Sequence, residues 1–119
     1  MAWFAAACGY DGMLRWSYNS WPADPVRDSR FTAWPAGDTY LVYPDARSSI
    51  RFERLREGIQ DYEKIRILRG ELASDNTPEG AAKRAELEAA VCPFEMHDVS
   101  QPWPELLRKG KETIARLSE

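Results

Sequence analysis

The stretch GMLRWSYNSW, residues 12–21, decides the fold that we predict for this chain of 119 residues. Aromatic and apolar residues alternate with polar ones along it, and Pro22 ends it, which is typical of a half-buried or fully buried β-strand. A second, shorter strand is predicted for TYLVY, residues 39–43, because Pro44 closes it in the same way. The first part of the chain is therefore expected to supply two strands.

The residues between these strands, PADPVRDSRFTAWPAG at positions 22–37, predict an ordered loop without regular structure. Its prolines and short polar residues are typical of turns. Loops of this length in compact domains are usually either functional or disordered. Phe31 and Trp34 argue against disorder, because large aromatic side chains need burial or a ligand.

Helices are predicted on both sides of this region. Residues 1–8 are typical of the last turns of a buried helix, which Gly9 would end by adopting a left-handed conformation. Ser48 and Ser49 are candidate N-caps for a second helix that continues to about Gly70. The apolar residues of this second helix recur at spacings of three and four, so we expect it to be amphipathic.

Two further helices are predicted in the last third of the chain. Thr77 followed by Pro78 is a typical helix start, and the Ala-rich sequence after it indicates a helix to about Val91. The last helix is expected to begin near Pro104. Its apolar face would consist of Trp103, Leu107, Ile114 and Leu117.

The composition argues against several classes of function. The formal net charge is -3, with basic and acidic residues mixed, so no basic stripe is available for nucleic acid. No glycine-rich phosphate loop is present, so no nucleotide cofactor is expected. The apolar start of the chain has no positive residues before it, and no apolar run approaches the roughly 20 residues needed to span a bilayer. We expect a soluble chain without a signal peptide or a membrane partner.

The cysteines and the single histidine indicate no metal site. Cys8 and Cys92 lie far apart in sequence and have no second cysteine or histidine nearby, so they predict neither a zinc site nor a disulfide framework. We expect two buried free thiols, because free cysteine behaves as a small apolar residue. His97 has no nucleophile in register and is expected to be an incidental loop residue.

Aromatic residues gather in the first part of the chain, interspersed with short polar side chains. Carbohydrate sites need flat aromatic surfaces for the C–H faces of a sugar and carboxylates or amides for its hydroxyl groups. The aromatic members are Trp16, Tyr18, Trp21 and Trp34, and the polar members are Asn19, Asp24, Asp28 and Asp38. The alternative is that Trp16 and Tyr18 are core residues of a buried strand, and both interpretations stay open at this point.

The carboxylates near these aromatics do not indicate a catalytic pair. Glycoside hydrolysis commonly needs an acid and a base on either side of one bond. Asp24, Asp28 and Asp38 lie in or beside the proline-rich loop, and no two of them stand out as such a pair. Aspartates in loops more often stabilise turns, so no catalytic residue is predicted.

Three separate blocks of sequence, in order, carry a family resemblance. They are GYDGMLRWSYNSW at 9–21, RFTAWPAGDTYLVYP at 30–44 and RSSIRFERLREGIQDYEKIRIL at 47–68. Together they resemble the C-terminal part of the group formed by glycoside hydrolase family 123 and domain of unknown function 4091. The resemblance covers about residues 2–68, and the order and spacing of the blocks make it specific.

The resemblance implies a fold and a site. It implies an α/β fold, the C-terminal fragment of a (β/α)8 barrel with about two strands followed by three helices. Residues 12–21 would form the final barrel strand, residues 1–70 the end of the barrel-like domain, and residues 71–119 a helical extension packed on it. Barrel sites lie at the C-terminal ends of the strands. The substrate-binding residues would therefore be Trp16, Tyr18, Asn19, Trp21, Trp34 and Asp38.

The resemblance also implies an activity, with one departure in this sequence. The best known activity of the group is hydrolysis of β-linked N-acetylgalactosamine, with the substrate's own 2-acetamido group as nucleophile. The family's adjacent Asp-Glu pair lies on an earlier strand, and no Asp-Glu dipeptide occurs in this sequence. We therefore expect a truncated domain that binds an N-acetylgalactosamine-containing glycan without the catalytic pair, and that is inactive alone.

Partners and alternatives follow from that expectation. The expected partners are a carbohydrate and either the upstream barrel half or a second copy of the chain, which would cover an exposed strand edge. The second copy is expected to associate through the strand and through Trp3 and Phe4. The main alternative is a stand-alone carbohydrate-binding or oligomerisation module. A weaker one is an enzyme that uses Asp24, Asp28 or Asp38.

Overall fold

Four α-helices dominate the computed structural model, which describes residues 1–96, 98 and 100–119. Helix comprises 55% of the structure, while strand comprises only 5% and forms no sheet. The helices are α1 (Ala2–Ala7), α2 (Ile50–Ser74), α3 (Pro78–Val91) and α4 (Trp103–Leu117), with a 3-10 turn at Cys92–Glu95. The helices predicted from the sequence are therefore present, although α2 extends four residues past Gly70.

Local sequence signals set the helix ends. After α1, Gly9 adopts φ +68°, the left-handed conformation that favours glycine. The backbone N–H of Phe52 donates to Ser49 Oγ over 3.2 Å, so Ser49 caps α2. Thr77 Oγ1 accepts from the backbone N–H of Gly80 over 3.0 Å, and caps α3 as predicted. These caps satisfy backbone donors that the helices themselves leave unpaired.

The chain divides into two compact units. Unit 1 comprises residues 1–13 and 58–119, and unit 2 comprises residues 14–57. The domain division predicted after residue 70 stays a prediction, because compact units describe packing and not the extent of homologous domains.

Unit 1 is a helical bundle with a continuous apolar core. Helix α3 packs against α4, and α1 packs against α3 and the 3-10 turn. The buried core residues are Trp3, Ala6, Ile65, Leu68, Leu72, Leu87, Val91, Phe94 and Ile114. Within this core, Trp3 Nε1 donates to the buried carboxylate of Asp61 over 2.9 Å, which satisfies both polar groups.

An arginine ties three helices of unit 1 together. Arg69 of α2 donates through Nη1 to the carbonyl of Ala6 in α1 over 2.8 Å. Its Nε and Nη2 donate to the two carboxylate oxygens of Glu88 in α3, at 2.8 and 2.7 Å. Such paired hydrogen bonds are the strong geometry for arginine and carboxylate. The side-chain hydrogen bond to Glu88 raises the pKa of Arg69 above its usual value.

The two cysteines both lie in unit 1, and both are free. Cys8 is partly buried and Cys92 is exposed at the start of the 3-10 turn. The predicted burial is therefore wrong for Cys92. His97 lies outside the described residues.

Unit 2 is built from turns, short bridges and the start of α2. Three isolated antiparallel bridges occur, which are Asn19 with Tyr40, Phe31 with Trp34, and Tyr43 with Arg47. Its interior contains the buried side chains of Ser17, Thr39, Tyr40, Leu41 and Val42. Side-chain hydroxyl groups hold the two main segments together: Ser17 Oγ donates to Thr39 O over 2.7 Å, and Thr39 Oγ1 donates to Ser20 O over 2.6 Å.

The predicted α/β fold, with strands at 12–21 and 39–43 as the end of a (β/α)8 barrel, is wrong for this structure. Two backbone hydrogen bonds join the segments, Ser20 N–H to Thr39 O at 3.0 Å and Leu41 N–H to Tyr18 O at 2.7 Å. No further ladder bond extends this pairing within the described residues.

The physical reason is that alternating apolar and polar residues do not by themselves provide a neighbouring strand to pair with. Hydroxyl groups of Ser17 and Thr39 bond to backbone carbonyls, which competes with ladder formation. After residue 43 the chain turns at once, because Asp45 and Ala46 both adopt positive φ. The alternating apolar residues also bury no common face, since Leu14 is 94% exposed.

Candidate functional site

Arg51, Gly37 and Tyr40 form the framework of the candidate site in unit 2. Arg51, in the first turn of α2, donates through Nε and Nη2 to Tyr40 O at 3.3 and 3.1 Å. Its guanidinium carbon lies 5.0 Å from the centroid of the Tyr40 ring, within the range of a cation–π contact. Gly37 adopts φ +75° and leaves room for the same guanidinium group, because a Cβ at this position would lie 2.8 Å from Arg51 Nη1. Arg51 thereby fixes the chain between Gly37 and Tyr40, where Asp38 lies.

Tyr40 is the most deeply buried aromatic residue of this framework. Its hydroxyl group donates to Pro25 O over 3.0 Å, which ties the loop to the interior of unit 2. Burial raises the pKa of Tyr40 above its ordinary value, and the neighbouring Tyr43 raises it further. The hydroxyl group therefore stays protonated at neutral pH and acts as a structural hydrogen-bond donor.

Two tryptophan side chains form an exposed aromatic surface. The rings of Trp16 and Trp34 lie with their centroids 4.7 Å apart and their planes tilted by 36°. Trp16 is 52% exposed and Trp34 is 51% exposed. A tight turn presents Trp34, because its backbone N–H donates to Phe31 O over 3.2 Å and Thr32 adopts φ +54°. The prediction that Trp16 could be a core residue is thus wrong.

An ion pair adjoins this aromatic surface. Arg15 Nη2 lies 2.5 Å from Asp38 Oδ1, and the same nitrogen donates to the backbone carbonyl of Asp38. The guanidinium carbon of Arg15 lies 5.9 Å from the centroid of the Trp16 ring. Trp16, Trp34 and Asp38, all predicted as site residues, are thereby brought together. The sequence analysis missed Arg15, whose only visible signal was its position next to Trp16.

The other predicted site residues occupy different surroundings. Tyr18 packs edge-on against Phe52 with centroids 6.2 Å apart, and remains half-exposed. Asn19 forms the bridge to Tyr40 and is exposed. Trp21 Nε1 donates to Val42 O over 2.7 Å.

Among the described residues, no ring contact or hydrogen bond joins the side chains of Tyr18, Asn19 or Trp21 to Trp16 or Trp34. These three residues therefore lie outside the cluster that Arg15 connects. Their assignment as substrate-binding residues stays a prediction.

The two remaining aspartates of the loop stabilise turns. Asp28 accepts from the guanidinium and the backbone N–H of Arg30, and the side-chain bond, followed by the backbone bond, lowers the pKa of Asp28 to about 2. Asp24 accepts from the backbone N–H of Arg27 over 3.3 Å. Asp28 is therefore ionised at neutral pH and cannot act there as a proton donor.

The described residues contain no group of three or more histidine, cysteine, aspartate or glutamate side chains that could hold a metal ion. In the same part of the chain, no helix has the length and hydropathy required to cross a bilayer.

Exposed, paired aromatic rings beside a carboxylate have the composition of a carbohydrate-binding surface. The family described as glycoside hydrolase 123, catalytic domain, matches residues 1–68. This match covers more than half of the chain, and the chain belongs to the glycoside hydrolase 123 family. No curated protein matches the chain.

Proposed function

We propose that unit 2 of this glycoside hydrolase family domain binds carbohydrate on the surface formed by Trp16, Trp34 and Asp38. The observation that carries the proposal is the pair of half-exposed tryptophan rings, 4.7 Å apart, in the segment that the family match covers. Aromatic faces attract the C–H faces of sugars, and a carboxylate accepts hydrogen bonds from sugar hydroxyl groups.

The exposure of these rings supports a binding role over a purely structural one. Burying apolar surface is favourable by roughly 25 cal/mol per Å², so a fold that leaves two large rings half-exposed forgoes stabilisation. A ligand that covers the rings would recover it. The turn at Trp34 and the guanidinium group near Trp16 also restrict the two residues. A preformed surface of this kind binds with a smaller loss of conformational entropy.

The proposed ligand is a glycan that contains β-linked N-acetylgalactosamine, and this choice rests on the family resemblance. For the chain on its own we propose binding without hydrolysis. One fact supports this: the Asp-Glu pair of the family does not occur in the sequence.

The test is a titration of the chain with methyl N-acetyl-β-galactosaminide, followed by two-dimensional NMR of the tryptophan indole groups. We expect the indole signals of Trp16 and Trp34 to shift together, and Trp34→Ala to weaken binding about fivefold, since stacking on an aromatic side chain contributes on the order of 1 kcal/mol. Tyr10→Ala is the matched control, because Tyr10 is similarly exposed but belongs to unit 1. Equal binding by Trp34→Ala and the wild type would contradict the proposal.

A second candidate function, association with a second copy of the chain, is favoured by other exposed apolar residues of unit 2. Leu14 is 94% exposed and Ile50 is 81% exposed. Apolar groups exposed to this degree are candidates for burial in an interface. Trp3, which was expected to take part, is buried in the core of unit 1, so this proposal rests on Leu14.

A further inference from the structure

Arg15 contacts both parts of the proposed carbohydrate site. Its Nη2 lies 2.5 Å from the carboxylate oxygen Oδ1 of Asp38, and its guanidinium carbon lies 5.9 Å from the ring centroid of Trp16. Arg15 and Asp38 are each about one-third exposed, so the pair is shielded on one side and open on the other. The arginine therefore links the hydrogen-bond acceptor of the site to its aromatic surface.

The hydrogen bonds of Arg15 restrict the orientation of Asp38. One nitrogen, Nη2, donates both to the backbone carbonyl and to the side-chain Oδ1 of the same residue. A side chain that is tied to its own backbone through a shared donor loses rotational freedom. Oδ2 of Asp38 accepts no hydrogen bond within the described part of the chain. This oxygen is thus left available to a ligand while the rest of the carboxylate is fixed.

The position of Arg15 is maintained at the expense of one of its own hydrogen bonds. Its Nε is buried and has no hydrogen-bond partner among the described residues. A buried donor without a partner is destabilising, and such groups in native proteins call for an explanation. The simplest explanation is that the guanidinium group is placed to serve Asp38 and Trp16 and not to satisfy all of its donors.

We propose that Arg15 is the positioning residue of the carbohydrate site. It holds Asp38 Oδ2 in place to accept a hydroxyl or amide N–H of a sugar whose C–H face packs on Trp16 and Trp34. The charges of Arg15 and Asp38 offset each other, so the site favours uncharged saccharides over uronic acids or sulfated sugars. This inference rests on the proposed function.

The experiment is a double-mutant cycle on the whole chain, with methyl N-acetyl-β-galactosaminide as the probe and NMR titration as the measurement. Arg15→Met removes the donors, Asp38→Asn removes the carboxylate, and the double variant combines them. If Arg15 acts through Asp38, Arg15→Met weakens binding about tenfold in the wild type and less than about twofold in the Asp38→Asn background. Arg30→Met, which breaks the exposed ion pair with Asp28, is the control and should leave affinity unchanged.

A conservative variant keeps the test valid if Arg15→Met does not fold. Arg15→Lys retains the charge and one donor group, and should restore part of the affinity while losing the contact of the planar guanidinium with Trp16. The indole signal of Trp16 should therefore move in Arg15→Lys even without ligand.

Three results would overturn the inference. Equal losses from Arg15→Met in both backgrounds would show that Arg15 does not act through Asp38. Binding that requires Trp34 but tolerates both Arg15 variants would remove the inference and leave the proposed function standing. A wild-type chain that binds no saccharide would remove both.

Discussion

Gly37 lies so close to the guanidinium group of Arg51 that a β-carbon at position 37 would be 2.8 Å from Arg51 Nη1. Gly37 also adopts φ +75°, a conformation that is strained for any other residue type except, to a lesser degree, asparagine and aspartate. Since Arg51 is held by Tyr40, it cannot move away without losing those contacts.

We therefore predict that Gly37→Ala lowers the free energy of unfolding by about 1–3 kcal/mol, from backbone strain together with the steric clash. Chemical denaturation followed by circular dichroism measures this change. Gly70→Ala is the matched control, because Gly70 lies inside α2 with open space around it. This control should be neutral or stabilising by up to about 1 kcal/mol. A Gly37→Ala chain as stable as the wild type would contradict the prediction.

The ion pair between Arg30 and Asp28 predicts a titration shift. Hydrogen bonds from the side chain and the backbone N–H of Arg30 lower the pKa of Asp28 from 3.8 to about 2, so Arg30→Met, which keeps the backbone bond, should raise it part of the way back toward 3.8. Because folding lowers the pKa of Asp28, any contribution of this ion pair to the free energy of unfolding is present above pH 3.8 and is lost as the pH falls toward 2. Carbon-detected NMR titration of the Asp28 carboxyl group measures the pKa. A value still near 2 in Arg30→Met would show that other groups set it.

We expect no hydrolysis of an aryl N-acetyl-β-galactosaminide by the purified chain. The family's Asp-Glu pair is missing from the sequence, and Asp38, Asp24 and Asp28 form ion pairs with Arg15, Arg27 and Arg30 respectively. Release of the aryl alcohol should match a buffer blank. Turnover well above the blank that disappears in Asp38→Asn would instead assign catalysis to Asp38.

Association through Leu14 is tested by placing a charge on it. If copies of the chain pair through this side chain, Leu14→Lys should shift sedimentation at high micromolar concentration toward the monomer, because a charge in an apolar contact is unfavourable. Ile67→Lys is the control, since Ile67 is also exposed but lies on α2 in unit 1. A wild-type chain that sediments as a monomer, unaffected by Leu14→Lys, would reject this candidate function.

The helices could be predicted from the sequence because their signals are local. Gly9 ends α1, and Thr77 with Pro78 begins α3, through contacts within a few residues. The apolar pattern of α2 carries through Leu72, and the helix continues to Ser74 because nothing local stops it at Gly70, a position where the helix tolerates glycine at a modest cost.

The strands and the site could not be predicted in the same way, because both depend on distant partners. A strand exists only with its neighbour, and the segments around Asn19 and Tyr40 pair at a single bridge. The aromatic composition of the site was visible in the sequence, while the pairing of Trp16 with Trp34 was not. Arg15 and Asp38 are 23 residues apart, so no spacing rule could join them.

The short length of helix α1 affects how the chain unfolds locally. A six-residue helix is too short to be stable in water alone, so its order depends on the hydrogen bond from Trp3 to Asp61 and on Arg69 at its last turn. Helix α1 should therefore lose its order as a single cooperative segment when its contacts with the rest of unit 1 break. The rate at which its amide protons exchange with solvent would then report the strength of its docking and not the strength of its own hydrogen bonds.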